Sequence, residues 1–189
     1  MTTTAPELRV LALSGSLRAD SYNTALLRAA QKFNPGGMTI DIYPSLGELP
    51  LYNQDLEAGR LHWAVEDLRY EIARADALLI ATPEHNACIP AVLKSAIDWM
   101  SRTPDSATLP GKPVGLVGAT LGALGTVRAQ QSLRQILTAV GADVLAKPEV
   151  MAFRAHERFD ADGNVTDGFT QTQLIALLDA LAERTHRIR

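Results

Sequence analysis

The chain has 189 residues, of which 47% are apolar and 21% are charged, and its formal net charge at pH 7 is −3. This composition is typical of a soluble globular protein and excludes a disordered or fibrous chain. No dense run of Lys or Arg marks a nucleic-acid groove or an anionic membrane surface, so we expect neither partner.

Five segments are predicted to be strands. Residues 8–13, 77–82 and 113–118 are apolar at nearly every position, which favours strands that are covered on both faces. Residues 38–43 alternate more, as expected for a strand with one face partly exposed. Residues 142–146 form the fifth and weakest candidate.

Five stretches with helical periodicity follow these strands in turn. They cover residues 23–33, 61–74, 91–100, 127–140 and 170–182. With right-handed crossovers, this alternation predicts an α/β fold with a doubly wound, five-stranded parallel sheet in the order 2-1-3-4-5 and helices on both faces. Residues 45–59 and 151–167 are interpreted as loops, and residues 1–189 as a single domain.

The segment after the first strand is a candidate phosphate site. In an open parallel sheet, ligands bind beyond the carboxyl ends of the strands, where the strand order reverses. Residues 14–23 lie there and contain Ser16, Ser21 and Asn23, followed directly by a helix whose amides and positive dipole end attract anions. Arg18 adds a forked cation that suits a terminal phosphate. A polar turn with an ordinary helix cap explains the same residues equally well.

The spacing of this loop excludes two common nucleotide motifs. It lacks the Gly-Lys-Ser/Thr of a nucleoside-triphosphate loop. Leu17 and Arg18 stand where the dinucleotide fingerprint has glycines. A single terminal phosphate fits better, and among common cofactors this indicates FMN.

Two further loops at the same sheet edge suit a flat heterocycle. Residues 82–90, after the third strand, carry two prolines, and a stiff backbone there can match the carbonyl and N–H groups of a flavin. Residues 118–126, after the fourth strand, contain three glycines that permit close backbone approach from the other side.

Together these segments resemble the NADPH-dependent FMN reductase family, which includes flavodoxin-fold reductases of quinones, azo dyes and chromate. The family motifs G-S-L-R-x-x-S-x-N, P-E-Y-N, L-K-N-A-I-D-W and R-A-Q-x-x-L-R correspond to residues 15–23, 83–86, 93–99 and 128–134. The resemblance extends over residues 8–150 and implies a flavodoxin-like fold. Two positions depart from the family pattern, because His85 stands where tyrosine is usual and Ser95 where asparagine is usual.

The resemblance also implies a set of cofactor-binding residues. Ser16, Arg18, Ser21 and Asn23 then hold the FMN phosphate, with Leu17 in the same loop. The isoalloxazine ring is bordered by four residues of the second loop and one of the third: Pro83, Glu84, His85, Asn86 and Thr120.

The activity that the resemblance implies is that of an NAD(P)H-dependent FMN reductase or quinone reductase. NAD(P)H reduces bound FMN, and a small acceptor such as a quinone, an azo compound, free flavin or an oxidised metal ion takes the electrons. The alternatives are a flavodoxin-type electron carrier and an FMN-binding redox sensor without turnover. Carriers of that type have an arginine-free phosphate loop and a markedly acidic surface, whereas this chain has Arg18 and a net charge of only −3.

Other chemistry-bearing residues favour plain structural roles. His85 is a weak candidate for a proton donor and more simply a planar wall beside the flavin. Cys88 has no second cysteine to resolve it, which favours a small packing residue over a redox thiol. Trp99 and Met100 follow the apolar stripe of their helix and are assigned to the core. We expect no metal site, because the histidines have no ligand-type spacing: His62, His85, His156 and His186.

The resemblance further implies a homodimer or a dimer of dimers with FMN near a subunit boundary. The helix that begins near Arg128 offers a mixed polar and apolar surface for this contact. Its members are Arg128, Gln130, Gln131, Leu133, Arg134 and Leu137. A single cysteine and a first segment, residues 1–9, without the layout of a signal peptide indicate the cytoplasm.

Overall fold

The structure is a computed structural model that describes residues 7–102 and 107–189. Its strands are β1 (Leu8–Ser14), β2 (Met38–Ile42), β3 (Ala77–Ala81), β4 (Pro113–Ala119), β5 (Asp143–Val144) and β6 (Val150–Ala152). Its helices are α1 (Tyr22–Lys32), α2 (Trp63–Arg74), α3 (Ala91–Ser101), α4 (Val127–Ala139) and α5 (Gly168–Ile188). Residues 1–6, part of the segment on which the signal-peptide argument rests, lie outside the described residues.

The sheet has the predicted parallel order. β2, β1, β3, β4 and β5 are neighbours in that sequence, and every ladder is parallel. β1, β3 and β4 are buried along nearly their whole length, whereas β2 alternates between buried and exposed positions at the sheet edge. Near-continuous apolar runs therefore became central strands, and the alternating run became an edge strand.

Helices cover both faces of the sheet because successive strand residues point to opposite sides. Leu8, Val10 and Ala12 of β1 pack in a core with α1 and α5. Leu11 and Leu13 of the same strand pack in a second core with α2, α3 and α4. The prediction of a doubly wound fold is confirmed.

The last part of the sheet differs from the prediction. The candidate strand at residues 142–146 shortens to β5, and β6 lies partly within the stretch interpreted as a loop at residues 151–167. Val114 of β4 faces Val144, yet Val117 faces Val150. Residues 115–116 thus lie opposite residues 145–149, and this extra length divides the fifth strand into two pieces. The sheet has six strands rather than five.

Two helices differ from their predicted bounds by two or more residues. α2 begins at Trp63, two residues late, because His62 caps it by accepting a hydrogen bond from the Ala64 amide at Nδ1. α5 continues to Ile188 instead of ending at residue 182. Its buried face carries on through Thr185, which is 1% exposed and whose hydroxyl bonds to the Leu181 carbonyl. Because Thr185 is polar, the apolar stripe of α5 looks in the sequence as if it ends before this residue.

The apolar half of the predicted subunit-contact surface on α4 is wrong. Leu133 and Leu137 are fully buried in the core of their own chain, and Gln130 is 3% exposed. Arg134 reaches across to the backbone carbonyl of Leu145. The face of α4 that the periodicity indicated therefore packs on the sheet.

Candidate functional site

The loops after β1, β3 and β4 meet around a cleft of about 200 Å³ at the carboxyl edge of the sheet. We call it the three-loop cleft. Most of the predicted site residues line it: Ser16, Arg18, Ser21, Asn23, Pro83, Glu84, His85 and Thr120. Leu17 instead lies over Gly47 in a neighbouring cleft, and Asn86 occupies an exposed turn. Tyr22, Ala119 and Leu121 also line it, and sequence reasoning missed them.

The loop after β1 presents unpaired backbone donors at the start of α1. Ser21 is the N-cap, and its hydroxyl oxygen accepts hydrogen bonds from the amides of Asn23 and Thr24 at 3.2 and 3.3 Å. Within the described residues, the amides of residues 17–21 donate no hydrogen bond. Arg18 is exposed beside them and has no carboxylate within salt-bridge distance in that same part of the chain. Open amides, a helix dipole and a cation form an anion site.

Asn23 fastens this loop to β4. Its Nδ2 donates to the Ala119 carbonyl at 3.0 Å, and its Oδ1 accepts from the Ala119 amide at 2.9 Å. The side chain is almost fully buried. Asn23 therefore joins two segments that border the cleft, a role that its position at the start of a predicted helical stretch did not indicate.

Glu84 fastens the loop after β3 to the start of α4. Its carboxylate accepts hydrogen bonds from the Arg128 and Ala129 amides at 3.1 and 3.2 Å and from Arg128 Nε at 2.7 Å. The side chain is 8% exposed. Burial alone raises the pKa of Glu84, but the bonds from Arg128 and from the Ala129 amide outweigh it, so that its pKa lies below the usual value. The carboxylate acts as a helix cap in addition to lining the cleft.

His85 and Cys88 form the base of a tight exposed turn. Each residue donates its amide hydrogen to the carbonyl of the other, at 3.0 Å. The two central residues, Asn86 and Ala87, have φ angles of 50° and 64°. This geometry is that of a two-residue hairpin of type I′. The turn holds the backbone of His85 at the rim of the three-loop cleft.

The loop after β4 is joined to the end of β6 and to the residues that follow it. Thr120 donates its amide hydrogen to the Ala152 carbonyl and accepts from the Ala155 amide, at 3.0 and 2.9 Å. The glycines of this loop mainly serve such packing. A Cβ at Gly118 would lie 1.9 Å from Thr126 Oγ1, and one at Gly125, where φ is +60°, would lie 2.8 Å from Met151 Cβ. These glycines therefore permit close contact with other residues of the protein rather than with a ligand.

Ser95, the second departure from the family motif, joins α3 to the segment at residues 50–52. Its hydroxyl accepts from the Tyr52 amide at 2.9 Å and donates to the Pro50 carbonyl at 3.0 Å. Trp99 Nε1 donates to that carbonyl as well, at 2.9 Å, and the side chain is buried. The core assignment of Trp99 is confirmed, and that of Met100 likewise.

The residues present fit FMN. A terminal phosphate requires several donors at one point, and the open amides of residues 17–21 with Arg18 supply them. The amides of Glu84 and Leu121, on the two facing loops, are likewise unpaired within the described chain and suit the polar edge of a heterocycle. In the same residues, no group of three His, Cys, Asp or Glu side chains is placed to hold a metal ion. Nor is any described helix long and apolar enough to cross a membrane.

Comparison with known proteins agrees with this chemistry. The NAD(P)H-dependent FMN reductase of Pseudomonas aeruginosa is 44% identical over 183 residues, which cover 97% of this chain and 98% of that one. A quinone reductase of Escherichia coli is 39% identical over 97% of this chain and 98% of its own length. The flavoenzyme NAD(P)H:(acceptor) oxidoreductase of Paracoccus denitrificans has a similar structure, with a TM-score of 0.86, 35% identity and coverage of 95% and 98%. The model of the family described as NADPH-dependent FMN reductase matches residues 8–157, and the chain belongs to that family.

Proposed function

We propose that the protein is an NAD(P)H-dependent oxidoreductase that binds FMN in the three-loop cleft and passes electrons to a quinone. One observation supports the proposal most directly. The amides of residues 17–21 are unpaired in the described chain, and they lie with the Arg18 side chain at the N-terminus of α1. A phosphate is the ligand for which such a cup is built. The names of the relatives supply the donor and the acceptor.

In this proposal, the residues of the chain bind the FMN phosphate and orient the flavin ring. Arg18, Ser16 and the open amides hold the phosphate, and Asn23 keeps their loop fixed to β4. Pro83, His85 and Thr120 border the ring plane on the other loops. When bound, FMN supplies the hydride-accepting centre and the electron pair for the acceptor.

A simple spectrum tests the cofactor. Purified protein, or protein to which FMN has been added, is expected to be yellow and to bleach with NAD(P)H under anaerobic conditions. Riboflavin, which lacks the phosphate, is expected to bind far more weakly. Equal affinities for FMN and riboflavin would rule out the phosphate cup.

Arg18→Ala tests the phosphate contact directly. Loss of a charge-assisted hydrogen bond removes about 1.5–3 kcal/mol, so FMN should bind roughly 10- to 100-fold more weakly by fluorescence titration. Arg60→Ala is the matched control, because Arg60 is also an exposed arginine without a carboxylate partner in the described chain, but it does not line this cleft. Unchanged FMN affinity in Arg18→Ala would remove Arg18 from the site.

Steady-state kinetics separate the enzyme from the alternatives. Oxidation of NAD(P)H that depends on an added quinone is expected for a reductase. A carrier or a redox sensor retains FMN but does not sustain this turnover. The same proposal places the enzyme in the cytoplasm, on the basis of its single cysteine, and cell fractionation checks that location.

A further inference from the structure

A second cleft, of about 780 Å³, lies on the β2 side of the loop after β1. It shares Ser16 and Arg18 with the three-loop cleft, so the two clefts adjoin on either side of these residues. Its other walls are one face of α1 and the chain that follows β2. We call it the arginine cleft and define it by these residues: Ser14, Ser16, Leu17, Arg18, Thr24, Arg28, Gln31, Ile42, Tyr43, Pro44, Leu46, Gly47 and Glu48.

Four polar side chains of the arginine cleft, those of Ser14, Thr24, Gln31 and Tyr43, already make hydrogen bonds within the protein. Ser14 Oγ bonds to the Ser16 carbonyl and to Thr24 Oγ1, at 3.2 and 2.8 Å. Gln31 donates to the Ile40 carbonyl at 2.8 Å, and Tyr43 donates to Asp67 at 2.9 Å. Ser16 and Arg18 are assigned above to the flavin phosphate, so the charged groups left for a second ligand are Arg28 and Glu48.

Arg28 is exposed and has no carboxylate within salt-bridge distance among the described residues. Asp160 lies near it across a smaller neighbouring cavity. That carboxylate is occupied by its own loop, since it accepts from the amides of Asp162 and Asn164 and from the Asn164 side chain. Arg28 therefore remains a free forked cation, one helical turn beyond Thr24 on the same face of α1.

The shape and the charge suit one half of a dinucleotide. The volume is within the range of small-molecule sites, and a lone phosphate would occupy little of it. NADPH differs from NADH only by an adenosine 2′-phosphate, a dianion that an arginine fork binds well. A donor that meets the flavin in the three-loop cleft needs a second place for its adenosine end, and the arginine cleft adjoins that cleft at Ser16 and Arg18.

We propose that the arginine cleft binds the adenosine 2′-phosphate half of NADPH, with Arg28 as the ligand of the 2′-phosphate, and that the enzyme therefore prefers NADPH to NADH. This inference rests on the proposed function, because it assigns a site to that reaction's donor. Glu48 accepts a hydrogen bond from the ribose or from the adenine amine in the same cleft.

Calorimetry with two nucleotide fragments tests the inference without turnover. Adenosine 2′,5′-bisphosphate and 5′-AMP differ only by the 2′-phosphate, and the bisphosphate should bind the native protein at least roughly 10-fold more tightly. Arg28→Ala should abolish that difference, Arg28→Lys should restore part of it, and Arg60→Ala should leave it intact. The ratio of kcat/KM for NADPH to that for NADH should fall in parallel in Arg28→Ala.

Two results would overturn the inference. The first is equal binding of the bisphosphate to the native protein and to Arg28→Ala. The second is tighter binding of 5′-AMP than of the bisphosphate, which would make Glu48 the ligand of an unphosphorylated ribose and NADH the preferred donor. FMN titration of the same samples keeps the proposals apart, because failure of the arginine cleft leaves FMN binding intact, whereas failure of the flavin site does not.

Discussion

At the scale of single residues, two polar side chains connect the loops of the site. Asn23 joins the loop after β1 to β4, and Glu84 joins the loop after β3 to α4. Both residues bond to backbone amides and are nearly buried. Hydrogen bonds within the protein therefore hold the loops of the three-loop cleft in place, whether or not a ligand is bound.

Glu84→Gln should destabilise the protein at pH 7 by about 1 kcal/mol, the usual contribution of a charged helix cap. Because the pKa of Glu84 is lowered in the folded state, its stabilisation is present above the unfolded pKa and is lost as the pH falls through the folded value. The difference between native and variant should thus shrink on acidification below about pH 4.3. Urea unfolding at several pH values measures it.

The control for that series is Glu48→Gln. Glu48 is exposed and makes no ion pair in the described chain. The free energy of unfolding of the Glu48→Gln protein should therefore differ little from that of the native protein at every pH. A Glu84→Gln difference that stayed constant down to pH 3 would show that the carboxylate charge does not stabilise the helix start.

His85→Tyr restores the usual family residue and separates a wall from a proton donor. If the ring of His85 mainly borders the flavin, the variant should retain FMN and turnover, and both proteins should show nearly flat pH profiles. If it donates a proton, reoxidation of the reduced native enzyme by a quinone should slow across the pH range in which imidazole loses its proton, and tyrosine should remove that step. Stopped-flow measurements decide, and we expect flat profiles.

At the scale of elements, the exposed turn at residues 85–88 carries a local conflict. A type I′ turn needs positive φ at both central positions, which asparagine tolerates and alanine does not. Ala87 nevertheless has a φ of 64°. The hydrogen bonds between His85 and Cys88 hold it there.

Ala87→Gly should therefore stabilise the protein slightly, by up to about 1 kcal/mol, since relief of the left-handed strain outweighs the added freedom of the unfolded chain. Ala87→Val should destabilise it, because a β-branched residue fits this φ poorly. Urea midpoints of the three proteins give the order. A less stable glycine variant would mean that Ala87 is not strained.

The central elements were predictable because their signals are local. β1, β3 and β4 are continuous apolar runs, and the stripes of α1 and α4 repeat at helical spacing. β6 was missed because three residues are too few for a pattern. The grip of Glu84 on Arg128 and the clamp of Asn23 on Ala119 bridge 44 and 96 residues, so only the tertiary fold reveals them.

At the scale of the whole molecule, a second copy is expected to cover the rim of the site. Leu121, Leu124 and Phe153 are exposed on the joined loops after β4 and β6. Apolar side chains of this size beside a polar cleft are typical of contact surfaces. That the chain is a single domain stays a prediction.

Light scattering at micromolar concentration should show a dimer or a dimer of dimers. Leu124→Lys should shift the native assembly toward the monomer, because a charge would be buried at the contact. Phe169→Lys, a change at an exposed apolar residue on α5, is the matched control and should not. A fully active monomeric native protein would contradict this expectation.

Because the fifth strand is divided, its two pieces, β5 and β6, are expected to open independently of each other. β6 is tied to the site through Thr120, whereas β5 is held by two residue pairs with β4 and by the ion pair between its Asp143 and Arg184 of α5. Among the described residues, none pairs in a ladder with residues 145–149, so opening of β5 need not spread to β6. In hydrogen exchange, the amides of β5 should lose protection without those of β6, and only the latter should slow when the flavin binds.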